Sequence, residues 1–284
     1  MGARVKPESL NTMKQMGQRI VVITCYDYPT ARLQDAAGVD VIFVGDSVGQ
    51  NVLGYEGPRN VTMADMLHHT RAVRRGVISA LLMADLPFGS YDNPDKALEN
   101  AMRLREAGAE VVKLEGGREM RLQIERLVSE GIPVVGHIGH TPQTRAGERP
   151  LYGSQAEEAF SILEDALYLE AAGVSGVVIE CVPERVAEEV TKRISIPTIG
   201  IGAGRVCDGQ VLVVNDLLGL NGDLFRFVKQ YANLREDMQK AFQNYSSEVR
   251  EGIFPGNEHR FLMKKEALQD FREKVKKMGV VARG

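Results

Sequence analysis

Val39-Asp40-Val41-Ile42-Phe43-Val44-Gly45-Asp46-Ser47-Val48-Gly49 is an apolar run that stops at a glycine and then presents a carboxylate, a hydroxyl and a second glycine. A run this short, rich in branched residues and closed by glycine, predicts a strand buried on both faces. Parallel α/β folds bind ligands at the C-terminal ends of such strands, which is where Asp46 falls. The pattern recurs down the chain. Met83-Ala84-Asp85, Lys113-Leu114-Glu115, Gly136-His137 and Ile179-Glu180 each close an apolar run with a polar residue.

Counting outward from that stretch, strand candidates lie at 19–27, 39–44, 78–84, 110–114, 132–137, 176–179, 196–200 and 209–214. Helix signals separate most of them. Pro29 sits in the first turn of a helix that Gly38 stops, Thr62 to Asp65 reads as an N-cap with an acidic first turn, and Asn93-Pro94 and Pro183-Glu184 open two more. Strands alternating with helices imply right-handed βα units and a parallel sheet. Eight such units predict a closed (β/α)8 TIM barrel over about 19–222 rather than an open doubly wound sheet. A helix in the N-terminal segment precedes it, and helices at 224–230, 234–249 and 264–277 follow it, all within one domain of 284 residues. Such barrels commonly take ~250 residues. Loop 49–61 is long and rich in glycine, and loop 138–154 is rich in glycine, proline, threonine and arginine and long enough to suggest function or mobility.

A net charge of −3 lacks the basic excess that nucleic-acid binding usually demands. No window of ~18 apolar residues exists, so no transmembrane helix is expected. The first 17 residues lack the apolar core of a signal segment. Cys25, Cys181 and Cys207 are widely separated and without metal-type spacing. They read as buried reduced thiols of a cytoplasmic protein.

A barrel of this register brings Asp46, Asp85, Lys113, Glu115, His137 and Glu180 to one mouth. Four carboxylates in a confined site repel one another unless a cation is present. Oxygen ligands favour hard Mg2+ over Zn2+, and Mg2+ takes a couple of carboxylates while keeping positions for water and substrate. Asp46 and Asp85 are the direct ligands on this reading, with Glu115 binding directly or through water. Lys113 lies two residues before Glu115, so both side chains point inward. Lys113 is either an ion-pair partner of Glu115 or a clamp for a substrate carboxylate or oxyanion; its acidic surroundings argue against a Schiff base. His137 is either a satisfied core histidine or a donor to a substrate oxygen. Glu180, flanked by apolar residues, is either a general base or acid or a capping or salt-bridge residue. The glycine run 200–204 fits either a phosphate loop or tight barrel packing.

These residues stand in stretches that resemble one family closely. YDYPTARLQDAAGVDVIFVGDSVGQNVLGY, HHTRAVRRG, ADLPFGSY, VKLEGG, GIPVVGHIGHTPQ, IECVP, IPTIGIGAG, CDGQVLVVNDLLGL and FPGNEHRF resemble the ketopantoate hydroxymethyltransferases, in order and spacing, over about 8–261. The resemblance implies a (β/α)8 barrel that transfers a hydroxymethyl group from 5,10-methylenetetrahydrofolate to 3-methyl-2-oxobutanoate, forming 2-dehydropantoate in pantothenate synthesis. It implies one Mg2+ held at Asp46 and Asp85 and, usually through water, Glu115. It also implies a keto acid chelating that metal with help from Ser47, Lys113 and His137, Glu180 as the base, and a homodecamer of two pentameric rings. Two departures stand out. The loop after His137 reads GHTPQTRAGERPLYGSQ, shorter than the family's and with His140 added, and a lysine-rich segment at 262–284 extends past the family's usual end.

Two other functions are weighed against this one. A different Mg2+-dependent 2-oxo acid enzyme, of the phosphoenolpyruvate mutase or isocitrate lyase type, shares acids at strand ends, but a lyase wants a reactive loop cysteine. A non-catalytic barrel retained for assembly would tolerate loss of the strand-end acids, and all of them are present.

Overall fold

The computed structural model describes residues 4–144, 151–222 and 225–279. Eight parallel strands close into a barrel in sequence order: β1 Ile20–Thr24, β2 Val41–Val44, β3 Leu81–Asp85, β4 Val111–Lys113, β5 Val134–Gly139, β6 Gly176–Glu180, β7 Thr198–Ile201 and β8 Gly209–Leu212. The eight-stranded fold is the one the alternating pattern predicts. Six of the strands are shorter than the apolar runs, while β5 keeps its length and β6 gains Glu180. Strand β3 starts three residues later because Ile78 to Ala80 are consumed in a turn whose amides are capped by Asp35 Oδ1.

Period-two alternation sorts the strand side chains into two sets. One set fills the barrel: Ile20, Val22, Val41, Phe43, Leu81, Met83, Val111, Val135, Val178, Ile199 and Val211 form a single apolar cluster. Leu10 and Met13 of α1 (Pro7–Gln15) join it and stop the lower end. Lys14 locks the plug by donating to the carbonyls of Thr191, Ile194 and Ile196 and pairing with Asp208 at 3.0 Å. The other set faces outward and packs on the helices α2 (Tyr28–Ala36), α3 (Met63–Arg74), α4 (Pro94–Glu106), α5 (Arg121–Ser129), α6 (Ala156–Ala171) and α7 (Glu184–Arg193).

The helix starts follow the caps in the sequence. Asp27, Thr62 and Asn93 each accept the amide three residues on, and Thr62 and Asp65 form a reciprocal capping box. A short helix, α8 (Val214–Leu217), follows β8. The helix expected over 224–230 does not form: residues 225–230 are a turn and irregular chain, with Phe225 stacked on Phe227. The glycine run after β7 is packed rather than open. A Cβ at Gly202 would strike Phe227, and one at Gly204 would strike Glu184.

The chain divides into two compact units, Met1–Ala232 and Asn233–Gly284. The second carries α9 (Leu234–Arg250) and α10 (Lys265–Lys277), close to the helices expected at 234–249 and 264–277. Among the described residues no helix is long and apolar enough to cross a membrane. Residues 145–150 of the long loop, Leu224 and the last five residues of the 262–284 segment lie outside the described residues.

Candidate active site

The barrel register builds the site directly. Met83, Val111, Val135 and Val178 fill the interior, so the residues two further along also point inward, at the carboxyl-end mouth. Those residues are Asp85, Lys113, His137 and Glu180. Asp85 and Lys113 are register partners on β3 and β4, and Lys113 Nζ donates to Asp85 Oδ1 at 2.5 Å. Phe43 of β2 supplies a ring face 5.4 Å below the ammonium. Asp46 follows β2 after the Gly45 turn, and its backbone N–H donates to Asp85 Oδ2 at 2.9 Å. The turn after β4 carries Glu115, tied down by the Gly116 N–H to the His137 carbonyl at 2.9 Å.

His137 lies between two acids, with Nδ1 3.4 Å from Glu115 Oε1 and Nε2 3.3 Å from Glu180 Oε2. These are charge contacts rather than aligned hydrogen bonds, since neither ring nitrogen has a partner of good hydrogen-bond geometry. All six predicted residues therefore converge. Ser47 is placed beside them, half-buried, with its hydroxyl 2.8 Å from the Tyr26 hydroxyl.

Two expectations need correction. Lys113 pairs with Asp85, not Glu115, because register sets β3 and β4 side by side at that level. Glu180 is not in the apolar pocket its neighbours in sequence suggest: its side chain is 19% exposed and faces His137. Flanking residues in a strand point to the opposite face, so they do not describe the surroundings of the residue between them.

The turn after Glu180 is unusual. Cys181 adopts a left-handed conformation, with φ of 51°, a costly state for a residue with a side chain. It is pinned on both sides, its N–H donating to the Ile201 carbonyl and its carbonyl accepting from the Tyr152 amide. On the neighbouring strand, Gly139 lets the backbones meet: a Cβ there would lie 2.3 Å from the Glu180 carbonyl oxygen. Together these contacts fix the backbone that carries the Glu180 carboxylate.

Burial is deep. Asp85, Lys113, Glu115 and His137 are each under 5% exposed. Burial, and then the Glu115 charge, push Asp46 up from the ordinary carboxylate range. Burial likewise pushes Asp85 up to about 7, against the pull of Lys113. For Lys113, burial works downward, but Asp85, Glu115 and Asp46 outweigh it and hold the ammonium charged. His137 is held up at about 9: burial and Lys113 oppose its protonation, and Glu115 and Glu180 overcome both. Asp46, Asp85, Lys113 and His137 are thus all raised, the two acids chiefly by burial and the two bases by the surrounding carboxylates acting against burial. Four carboxylates face one ammonium and one imidazole.

That donor set fits a hard divalent cation. Among the described residues no three His, Cys, Asp or Glu side chains converge tightly enough to enclose a metal by themselves. Mg2+ does not need such a cage, since one or two carboxylates plus water and substrate oxygens suffice. Asp46 and Asp85 are the two carboxylates that would supply such a pair. A cavity of about 210 Å3 opens beside His137, lined in part by Gly117, Thr141, Tyr152, Ser161 and Asp165, and gives room for a second ligand.

The sequence reading missed Gln143 and Tyr91, both buried in the site. Their signal was weak: each sits in a loop, where residue type alone does not tell an inward side chain from a solvated one.

Comparison with known proteins decides the family. The family model described as ketopantoate hydroxymethyltransferase matches residues 4–257. The chain belongs to that family. A 3-methyl-2-oxobutanoate hydroxymethyltransferase from Thermus thermophilus is 54% identical over 249 residues, covering 86% of this chain and 95% of the relative. One from Syntrophus aciditrophicus is 49% identical over 266 residues, covering 92% and 98%. Like other ketopantoate hydroxymethyltransferases, the chain is a transferase.

Among solved structures, a phosphonopyruvate hydrolase complexed with oxalate and Mg2+ superposes with a TM-score of 0.60 at 14% identity, over 96% of this chain and 97% of that one. A 2,3-dimethylmalate lyase of the PEP mutase/isocitrate lyase superfamily gives 0.59 at 16% identity, over 97% and 99%. At this identity the likeness shows a shared barrel. The reactive cysteine a lyase would want is also missing at Cys181, where burial pushes the thiol up to about 12.

Proposed function

We propose that the chain transfers a hydroxymethyl group from 5,10-methylenetetrahydrofolate to 3-methyl-2-oxobutanoate, forming 2-dehydropantoate. The observation that carries this reading is the inward row Asp85, Lys113, His137 and Glu180 beside Asp46. It sets carboxylates suited to a hard cation, a buried ammonium suited to a small anion and a partly exposed carboxylate suited to proton abstraction at one mouth. Asp46 and Asp85, with Glu115 through water, would hold Mg2+, which would polarise the keto acid's carbonyl and stabilise negative charge on its oxygen.

The chain's own groups divide the remaining work. Lys113 and His137 orient the keto acid through its oxygens, and the Ser47 hydroxyl, steadied by Tyr26, adds a contact at the rim. Glu180 removes the C3 proton as general base. The resulting enolate carbon forms a bond to the methylene carbon of the folate, and a carbon–nitrogen bond of the folate breaks. Water then displaces the remaining folate nitrogen and supplies the product hydroxyl. The C3 proton and one water proton end on the two folate nitrogens, so atoms and charge balance.

Family membership also supports a homodecamer, and three free buried cysteines support a reducing compartment such as the cytoplasm. The direct test of the reaction is product formation. Purified protein with Mg2+ and both substrates yields 2-dehydropantoate, and omission of the folate abolishes it. Product formed at the same rate without the folate contradicts the donor assignment.

A further inference from the structure

The turn Thr141-Pro142-Gln143-Thr144, in the loop after β5, sends one side chain into the site. The Thr144 amide closes the turn on the Thr141 carbonyl at 3.0 Å, and the two threonine hydroxyls meet at 2.8 Å. Gln143 points inward and is fully buried. Its backbone N–H donates to Glu115 Oε2 at 2.9 Å. Its side-chain Nε2 donates to Asp46 Oδ2 at 2.8 Å and to the Leu86 carbonyl at 3.1 Å. Its Oε1 accepts from the Tyr91 hydroxyl at 2.5 Å. The amide orientation follows from its neighbours, since the NH2 faces two pure acceptors and the oxygen faces a hydroxyl.

One residue thus spans the two acids that flank the centre of the charge cluster, and it does so with every donor used. Asp46 is gripped by one oxygen only: no described residue hydrogen-bonds Oδ1. We propose that Gln143 is a positioning residue for cation binding, holding Asp46 by Oδ2 so that Oδ1 is the ligating oxygen, and holding Glu115 in place through its amide. The proposal rests on the reading that Asp46 and Asp85 bind Mg2+.

The residue type suits the task. Glutamate at this position would set another carboxylate against Asp46 and the Leu86 carbonyl. Asparagine is a methylene too short to span the same partners. Partners that orient metal ligands typically matter by 10–100-fold in metal affinity.

The test is Mg2+ titration calorimetry on the full chain, paired with kcat measured as a function of Mg2+. Gln143→Leu keeps the volume and removes the amide contacts; Tyr91→Phe removes only the anchor of Oε1. Gln143→Leu is expected to raise the Mg2+ dissociation constant about tenfold or more, Tyr91→Phe to raise it less, and saturating Mg2+ to restore kcat in both. A role confined to bracing the loop would instead lower kcat in a way that Mg2+ does not restore, and that outcome overturns the proposal. So does wild-type Mg2+ affinity in Gln143→Leu, or in Tyr91→Phe should Gln143→Leu not fold. Wild-type protein that binds no Mg2+ removes the cation reading and this proposal together, a result distinct from wild-type binding with unaffected variants.

Discussion

Asp85 and Lys113 are register partners on adjacent strands, and their side chains meet at 2.5 Å while 1% and 5% exposed. A buried pair of this kind is costly to break from one side, because the survivor is left charged and unpaired; such losses run to about 3–5 kcal/mol. Here the pair also joins the residue proposed to ligate a cation to the residue proposed to clamp an anion.

Asp85→Ala is therefore expected to weaken Mg2+ and keto acid binding together, and to lower the unfolding free energy by roughly 3–5 kcal/mol. Calorimetry with each ligand and urea unfolding measure the two effects. Normal binding of both ligands would sink the assignment of Asp85.

Glu180→Gln keeps the shape of the side chain and removes its basicity. Keto acid binding survives in that variant while turnover falls by about 10^2 to 10^4, the usual range for loss of a general base. A variant with wild-type kcat moves the base to another residue.

Asp27 serves as a control for strand-end acids. It follows β1 as Asp46 follows β2, but its Oδ1 accepts the Thr30 amide at the start of α2. Asp27→Ala should cost about 0.5–2 kcal/mol of stability and leave Mg2+ affinity where it was. Weakened metal binding in that variant would mean the acids at the mouth have been wrongly divided.

The cysteines make a prediction about pH. Burial pushes Cys25 and Cys181 up to about 12 and raises Cys207 as well. The native thiols are thus protonated near neutrality, and a disulfide reagent at pH 8 should label none of the three quickly, against three in denaturant. A folded-state value raised above the unfolded one contributes stability fully present below the unfolded value. That stability is lost between the unfolded value near 9 and the folded value near 12. Chemical unfolding between pH 8 and 11 should show the decline; a rapidly labelled native thiol would contradict the burial argument.

The barrel was legible because its signal is repeated: eight short apolar runs, most of them separated by helix signals such as Pro29, Thr62 and Asn93. The convergence of Asp46, Asp85, Lys113, Glu115, His137 and Glu180 was legible for the same reason, since strand-end position alone places them. Partner choice was not. Lys113 takes Asp85 across the sheet instead of Glu115 along the chain, because inter-strand register is a property of the closed barrel. Gln143 and Tyr91 come from loops whose side-chain direction no periodicity encodes. The helix expected at 224–230 is not borne out, since residues 225–230 form none.

The central claim is that Glu180 abstracts the C3 proton of 3-methyl-2-oxobutanoate in a site that requires a divalent cation. Proton NMR in D2O tests it without the folate. The account predicts loss of the C3 proton signal with wild-type protein and Mg2+, and its persistence when Mg2+ is removed by chelation or when Glu180→Gln replaces the wild type. Exchange that proceeds equally without Mg2+, or equally well in Glu180→Gln, would contradict it.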